Sequence, residues 1–265
     1  MTSRADHELW DQVWHADDVN VAYFATAYRL PGVVMFFAER DDAPEFDVAR
    51  IHHVPRGAES ATIQAIIQHY AHHGRRPRLQ LGPLHAALWD EPLRQASLVR
   101  CAGDLDYFAV PRSLRLPVAQ DVRVLQVESA ADAESFSTVQ AAGFGLSPEH
   151  HAWDLELVHR HRRGGCHSFY MAMLAGQVVG AARRAHLPDG TAVLAALATL
   201  PAARGRGVGT SILARMIDDA WQAGARIVCG AVDSGSEPAR MYQRLGFQTL
   251  FTTPCFASSR VSVLA

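Results

Sequence analysis

The residues best suited to chemistry lie between Leu197 and Gly209, in the run LATLPAARGRGVG. An apolar, strand-like piece ends at Pro201, passes through a glycine-rich turn and enters an amphipathic stretch. Gly205, Gly207 and Gly209 let the backbone turn tightly and bring N–H groups against a ligand with no Cβ in the way. A helix N-terminus adds partial positive charge to such a turn. Arg204 and Arg206 supply full charges. A diphosphate seated on Gly205 to Thr210 is the natural guest. The G-x-G-x-G spacing lacks the third glycine of the dinucleotide fingerprint, and an antiparallel meander precedes it in place of a β-α-β unit, which argues against a Rossmann site.

Arg204-Gly205-Arg206-Gly207-Val208-Gly209 resembles the R/Q-x-x-G-x-G/A loop with which the GNAT superfamily of acyl-CoA-dependent N-acyltransferases cradles the pyrophosphate of acetyl-CoA. The resemblance implies acetyl-CoA as cosubstrate, with no metal, and a main-chain role for Leu197, Ala198 and Thr199, which would pair with pantetheine as a further strand would. Downstream, Ala239-Arg240-Met241-Tyr242-Gln243-Arg244-Leu245-Gly246-Phe247 looks like the family's A-x-x-Y-x-x-x-G-F segment, in which Tyr242 would protonate the departing thiolate. Many members carry an asparagine seven residues before that tyrosine. This chain has Gly235 there and Ser236 beside it, which makes Ser236 the nearest side chain for a CoA contact.

The reaction sets its own requirements. When an amine attacks a thioester, the oxyanion must be stabilised, the leaving sulfur protonated and the incoming nitrogen deprotonated. A phenol with a pKa near ~10 is protonated at neutral pH and can act as the acid. For the base, Asp233 follows the strand from Arg226 to Val232, where a carboxylate could hold a water near the amine. Glu149 and Asp154 are alternatives, on the helical region that the resemblance places along the acceptor side; each of the three carboxylates reads more simply as a solvated surface charge, and an ordered water chain is a further route. No cysteine stands in a motif that would make it a nucleophile.

Composition narrows the field further. The chain has 265 residues and a net charge of -2, and all 25 of its Lys and Arg residues are arginine. Without lysine there is no Walker A loop, no pyridoxal Schiff base and no kinase-type third-strand lysine. The charge balance offers no basic field for nucleic acid. No apolar run approaches the ~18 residues of a membrane span, and the N-terminus lacks the apolar region of a leader, so a cytoplasmic protein is expected. Cys101, Cys166, Cys229 and Cys255 are far apart in sequence, form no C-x-x-C pair and read as reduced, mostly buried thiols. His69 and His73, four apart on one helix, read as an exposed helix surface more simply than as a metal site.

The elements that must carry these groups follow from periodicity. In the second segment, Asp121 to Val127 reads as a strand, and Asp132 to Ala141 and Ser147 to His161 as helices, the latter opened by Ser147-Pro148. A meander follows: His167 to Leu174, Gln177 to His186 and Thr191 to Leu200, with turns at Ala175-Gly176 and Pro188-Asp189-Gly190. An amphipathic helix through Ile212, Met216 and Trp221 ends at Gly224. Arg226 to Val232 (strand), Glu237 to Leu245 (helix) and a last β region, Gln248 to Ala257, complete the segment.

The first segment reads as strands at Gly32 to Glu39, Arg50 to Val54, Arg78 to Leu81 and Tyr107 to Val110. Helices are expected at Ala58 to Gly74, with Ser60 as its cap, and at Glu91 to Val99. Pro111 to Pro117 reads as a linker. The expected fold is α/β, a mixed, mostly antiparallel sheet flanked by helices, repeated as two tandem GNAT-like domains. Residues 1–118 would form a degenerate domain, because Pro55-Arg56-Gly57-Ala58-Glu59 offers one glycine and an acid where a CoA loop would stand. Residues 119–265 would form the catalytic domain. The implied activity is acetyl transfer to a primary amine of a small molecule or peptide, in a monomer or homodimer. An acyl-CoA-binding protein without turnover, or a transferase of a longer acyl group, is the alternative.

Overall fold

The computed structural model describes residues 4–83 and 86–258. Met1 to Ser3, part of the N-terminus read as leaderless, lie outside the described residues. The chain opens with α1 (Arg4–Ala16) and α2 (Asp18–Ala22), followed by β1 (Ala25–Leu30), β2 (Val33–Ala38) and β3 (Val48–Ile51). Then come α3 (Glu59–His72), β4 (Arg78–Leu81), α4 (Ala86–Gln95), β5 (Leu98–Arg100) and β6 (Leu105–Ala109).

The apolar spacing that predicts α3 buries Ile63, Ile66 and Tyr70 against Met35, Ile51, Leu79 and Leu81. Its expected cap at Ser60 is not formed. The N-cap is Ala58, with no side-chain bond, while the Glu59 carboxylate accepts from the Gly57 N–H at 2.8 Å. The helix expected at Glu91 to Val99 starts five residues earlier and ends four residues earlier as α4, with Pro92 inside it.

β7 (Val122–Gln126) begins the second series, with α5 (Ala130–Phe144), α6 (Pro148–Arg162), β8 (His167–Leu174), β9 (Gln177–His186) and β10 (Thr191–Thr199). α7 (Val208–Gln222), β11 (Ile227–Asp233), α8 (Glu237–Arg244), β12 (Gln248–Thr253) and β13 (Cys255–Ser258) complete it. Local chemistry sets the boundaries. Ser129 and Asp132 form a reciprocal capping box at α5, which stops at left-handed Gly145. Ser147 caps α6 ahead of Pro148. Ala175 and Gly176 both adopt positive φ, and Leu174 pairs with Gln177, the geometry of a two-residue hairpin.

Two sheets result. One has six strands in the order β1-β2-β3-β4-β13-β5, the other seven in the order β12-β6-β11-β10-β9-β8-β7. Both mix antiparallel neighbours with a parallel pair, β3 with β4 in the first and β10 with β11 in the second. The sequence's single cut after residue 118 divides the chain differently from its compact units. One unit comprises Met1–Phe108, Ala231–Tyr242 and Thr249–Ala265, and the other Ala109–Gly230 and Gln243–Gln248. The last β region, expected within the second domain, comprises β12 and β13, and β13 pairs with β4 and β5 of the first series.

Candidate functional site

β10 carries the turn toward α7. It lies parallel to β11 from Thr191↔Ile227 to Leu194↔Gly230 and antiparallel to β9, where the register shifts between Ala195 and Ala198. At this bulge Ala196 takes φ 54°, and its carbonyl accepts a 2.7 Å hydrogen bond from Nε2 of Gln140 on α5. α5 lies close to the strand here, since a Cβ on Gly143 would stand 2.7 Å from Cβ of Ala198.

Beyond Leu200, whose N–H donates to Val179 at 2.9 Å, the chain turns through Gly205 and Gly207, both at φ 74°. Gly207 is the N-cap of α7 and offers no side chain to the first turn. Ser211 donates its N–H to the Gly207 carbonyl at 2.9 Å. The amides before it face the open end of the helix, where orphan N–H groups and the helix dipole favour an anion. A Cβ on Gly205 would meet nothing within 4 Å. A Cβ on Gly209 would stand 3.6 Å from both Leu197 Cδ2 and Thr199 Oγ1, so the strand end packs close to the first helical turn. Arg204 and Arg206 are exposed; the first reaches the Thr199 carbonyl at 3.3 Å and the second Asp121 at 3.3 Å. Open space, left-handed glycines, helix-terminal amides and two guanidinium groups fit a diphosphate.

Asp233, Ser236 and Tyr242 belong to the other compact unit. Asp233 is exposed at the end of β11, and its carbonyl accepts from the Ser236 N–H at 3.2 Å. Ser236 Oγ accepts from the Ala239 N–H at 3.2 Å, so this hydroxyl caps α8. The half-buried Tyr242 ring lies 4.7 Å from that of Phe108. Burial pushes its phenol up to about 12, so it carries its proton at neutral pH.

Asp154 departs from the sequence reading. It is 8% exposed, not a solvated charge, and accepts a 2.7 Å hydrogen bond from Ser137. Burial raises its pKa, partly offset by Ser137 and by the Arg183 guanidinium. Arg183 itself is buried in β9 and reaches His167 at 3.4 Å. Glu149 is exposed. Sequence reasoning passed over Gln140 and Arg183. The available signals were polar residues at three-residue spacing, Ser137 and Gln140, on the buried face of α5, and a charged pair inside an otherwise apolar strand. His73 Nδ1 lies 2.8 Å from the His69 carbonyl, and no group of three or more metal-ligating side chains occurs among the described residues. Nor, among them, is any helix long and apolar enough to cross a membrane.

Residues 132–247 match the family model described as Acetyltransferase (GNAT) family. The chain carries a GNAT domain. Solved structures extend the likeness along its length. A GCN5-related N-acetyltransferase from Kribbella flavida superposes with a TM-score of 0.70 at 17% identity, over 94% of this chain and 95% of that one. Another from Sphaerobacter thermophilus gives 0.61 at 15% identity, over 85% and 80%. A tandem GNAT protein from the clavulanic acid biosynthesis pathway gives 0.60 at 15%, over 85% and 78%. At such identities the likeness is one of fold, and the two sheets of this chain fit a tandem of GNAT-like domains. A comparison with curated proteins finds no match.

Proposed function

We propose that this chain is an N-acetyltransferase that moves the acetyl group of acetyl-CoA to a primary amine of a small molecule or peptide. The observation that carries the proposal is the β10–α7 turn, whose amides, left-handed glycines and arginines suit a diphosphate. Acetyl-CoA supplies the activated acetyl group as a thioester. Arg204 to Thr210 hold its pyrophosphate, and the main chain of Leu197 to Thr199 aligns the pantetheine arm. The amine attacks the carbonyl directly, with no acyl-enzyme. Tyr242, protonated at neutral pH, donates to the leaving sulfur, and Asp233 accepts the amine's proton through water. Ser236 holds the turn before α8.

One CoA site per chain is expected. In the first sheet the parallel ladder of β3 and β4 runs to Ile51↔Leu81 and continues with the Gly82 N–H on the Ile51 carbonyl at 3.0 Å. The Trp14 indole stands against Gly82, 3.2 Å from where its Cβ would be. Main-chain groups already paired and covered cannot receive pantetheine.

The test is acetyl-CoA consumption across an amine panel, with product masses, alongside calorimetry of CoA with the wild type and Gly207→Asp. At φ 74° the new side chain is strained and places a carboxylate among the amides. Acetylated product from the wild type and loss of CoA binding by the folded variant support the proposal. Unchanged CoA affinity would remove the loop assignment, and CoA binding without any product would leave a binding protein in place of an enzyme.

A further inference from the structure

Cys101 and Cys255, 154 residues apart in sequence, face one another across the first sheet with their sulfurs 3.3 Å apart. Cys255 opens β13, and Cys101 follows β5, the neighbouring strand. Their backbones are tied together, since the Cys101 N–H donates to the Cys255 carbonyl at 2.9 Å. The Cys255 N–H in turn donates to Asp104 Oδ1 at 2.9 Å, and the Asp104 carboxylate is paired with Arg100. Both cysteines are free thiols. The guanidinium of Arg78, from β4, stands against both sulfurs and donates to the Ala102 carbonyl. Gly103 makes the room, because a Cβ there would fall 2.2 Å from Arg78 Nη2 and 3.7 Å from the Cys255 sulfur.

We propose that Cys101 and Cys255 are a redox modification site, oxidised by a hydroperoxide to a reversible disulfide that staples β13 to β5. The two thiols differ in access: Cys101 is partly exposed and Cys255 buried. Burial and the neighbouring Cys101 push the Cys255 thiol up to about 12, against the pull of Arg78, so it stays protonated and waits.

In the first step the Cys101 sulfur attacks one peroxide oxygen. An S–O bond forms, the O–O bond breaks, and the other oxygen leaves, with a proton, as an alcohol or water. Cys101 is then a sulfenic acid. In the second step the Cys255 sulfur attacks that of Cys101. The S–S bond forms, the S–O bond breaks, and the hydroxyl leaves as water with the Cys255 proton. Two thiols have lost two electrons and the peroxide has gained them. The held proximity of the sulfurs favours this step over further oxidation, and a dithiol reductant reverses it by exchange.

The experiment treats the folded full-length chain with hydrogen peroxide, alkylates the remaining thiols under denaturing conditions and maps the peptides without reduction. The expected result is loss of two of the four titratable thiols, one peptide linking Cys101 to Cys255, and recovery of all four after dithiothreitol. The linked species should melt at a higher temperature than the reduced one. Cys101→Ser and Cys255→Ser should each abolish the link, and the wild-type map stands even if either variant folds poorly. Four thiols still titratable, a link to Cys166 or Cys229 or between two chains, or sulfinic acid at Cys101 without a link would overturn the proposal.

Discussion

A Cβ on Gly180 of β9 would stand 2.6 Å from Cγ1 of Val208 and 2.8 Å from Cδ1 of Ile212, so the first turn of α7 rests directly on the bare backbone of the strand. That contact sets the height of the helix N-terminus above the sheet. Gly180→Ala inserts a methyl into this seam, and overpacking of that kind costs about 1–3 kcal/mol. The helix start and the glycine turn ahead of it should shift together. CoA affinity is expected to fall on the order of tenfold, as about 1.4 kcal/mol requires, with a modest loss of melting temperature. Calorimetry showing wild-type affinity in this variant would mean that the seat of α7 does not control the turn.

Gln140, on α5, acts on β10, the strand beside β9. Its amide donates to the Ala196 carbonyl at the bulge that precedes Leu197 to Thr199. Gln140→Leu leaves that part-buried carbonyl without its donor, at a cost below the about 1–3 kcal/mol of a fully buried group. If the bulge aligns the strand end for pantetheine, KM for acetyl-CoA should rise more than kcat falls, and KM for the amine should hold. Equal effects on all three, or a change in melting temperature alone, would make the bond purely structural.

Tyr242→Phe removes one oxygen and keeps the ring beside Phe108. If the phenol is the acid, kcat should drop by ~10²- to 10⁴-fold, the usual range for general acid catalysis, while CoA binding stays as it was. Steady-state kinetics with calorimetry separates the two quantities. A variant that keeps most of its kcat would return Tyr242 to packing.

The glycine turn was legible because its chemistry is local: the left-handed positions, the helix start and the two arginines all lie within seven residues. The second helix and the first hairpin of the second series were legible for a similar reason, since Ser147 caps the one and Ala175-Gly176 turns the other at positive φ. What failed depends on distant partners. Asp154 has the look of a surface carboxylate until α5 brings Ser137 to within 2.7 Å. β1 exposes most of its side chains at a sheet edge and so shows little apolar alternation. β13 carries no sign that its partners are β4 and β5, far back in the chain. A fragment beginning at residue 119 therefore lacks both neighbours of its last strand.

His167 gives the fold a pH dependence of known sign. Burial, aided by the charges of Arg183 and His161, pulls its imidazole down to about 3, against ~6.5 for an unperturbed ring. Between those values the unfolded chain binds a proton that the folded chain refuses. Stability is therefore full above about pH 6.5 and falls as the pH drops toward 3. One proton sets a ceiling of about 1.4 kcal/mol per pH unit, reduced by solvent because the ring is only partly buried. Asp154, whose carboxyl burial raises, works with the opposite sign, favouring the fold when protonated. The wild-type curve is thus a sum, and a single-residue comparison is needed to isolate one term. Urea unfolding of the wild type and His167→Asn at pH 7 and at pH 4.5 provides it. The variant should lose less stability than the wild type between the two conditions, and parallel losses would place the acid sensitivity elsewhere in the fold.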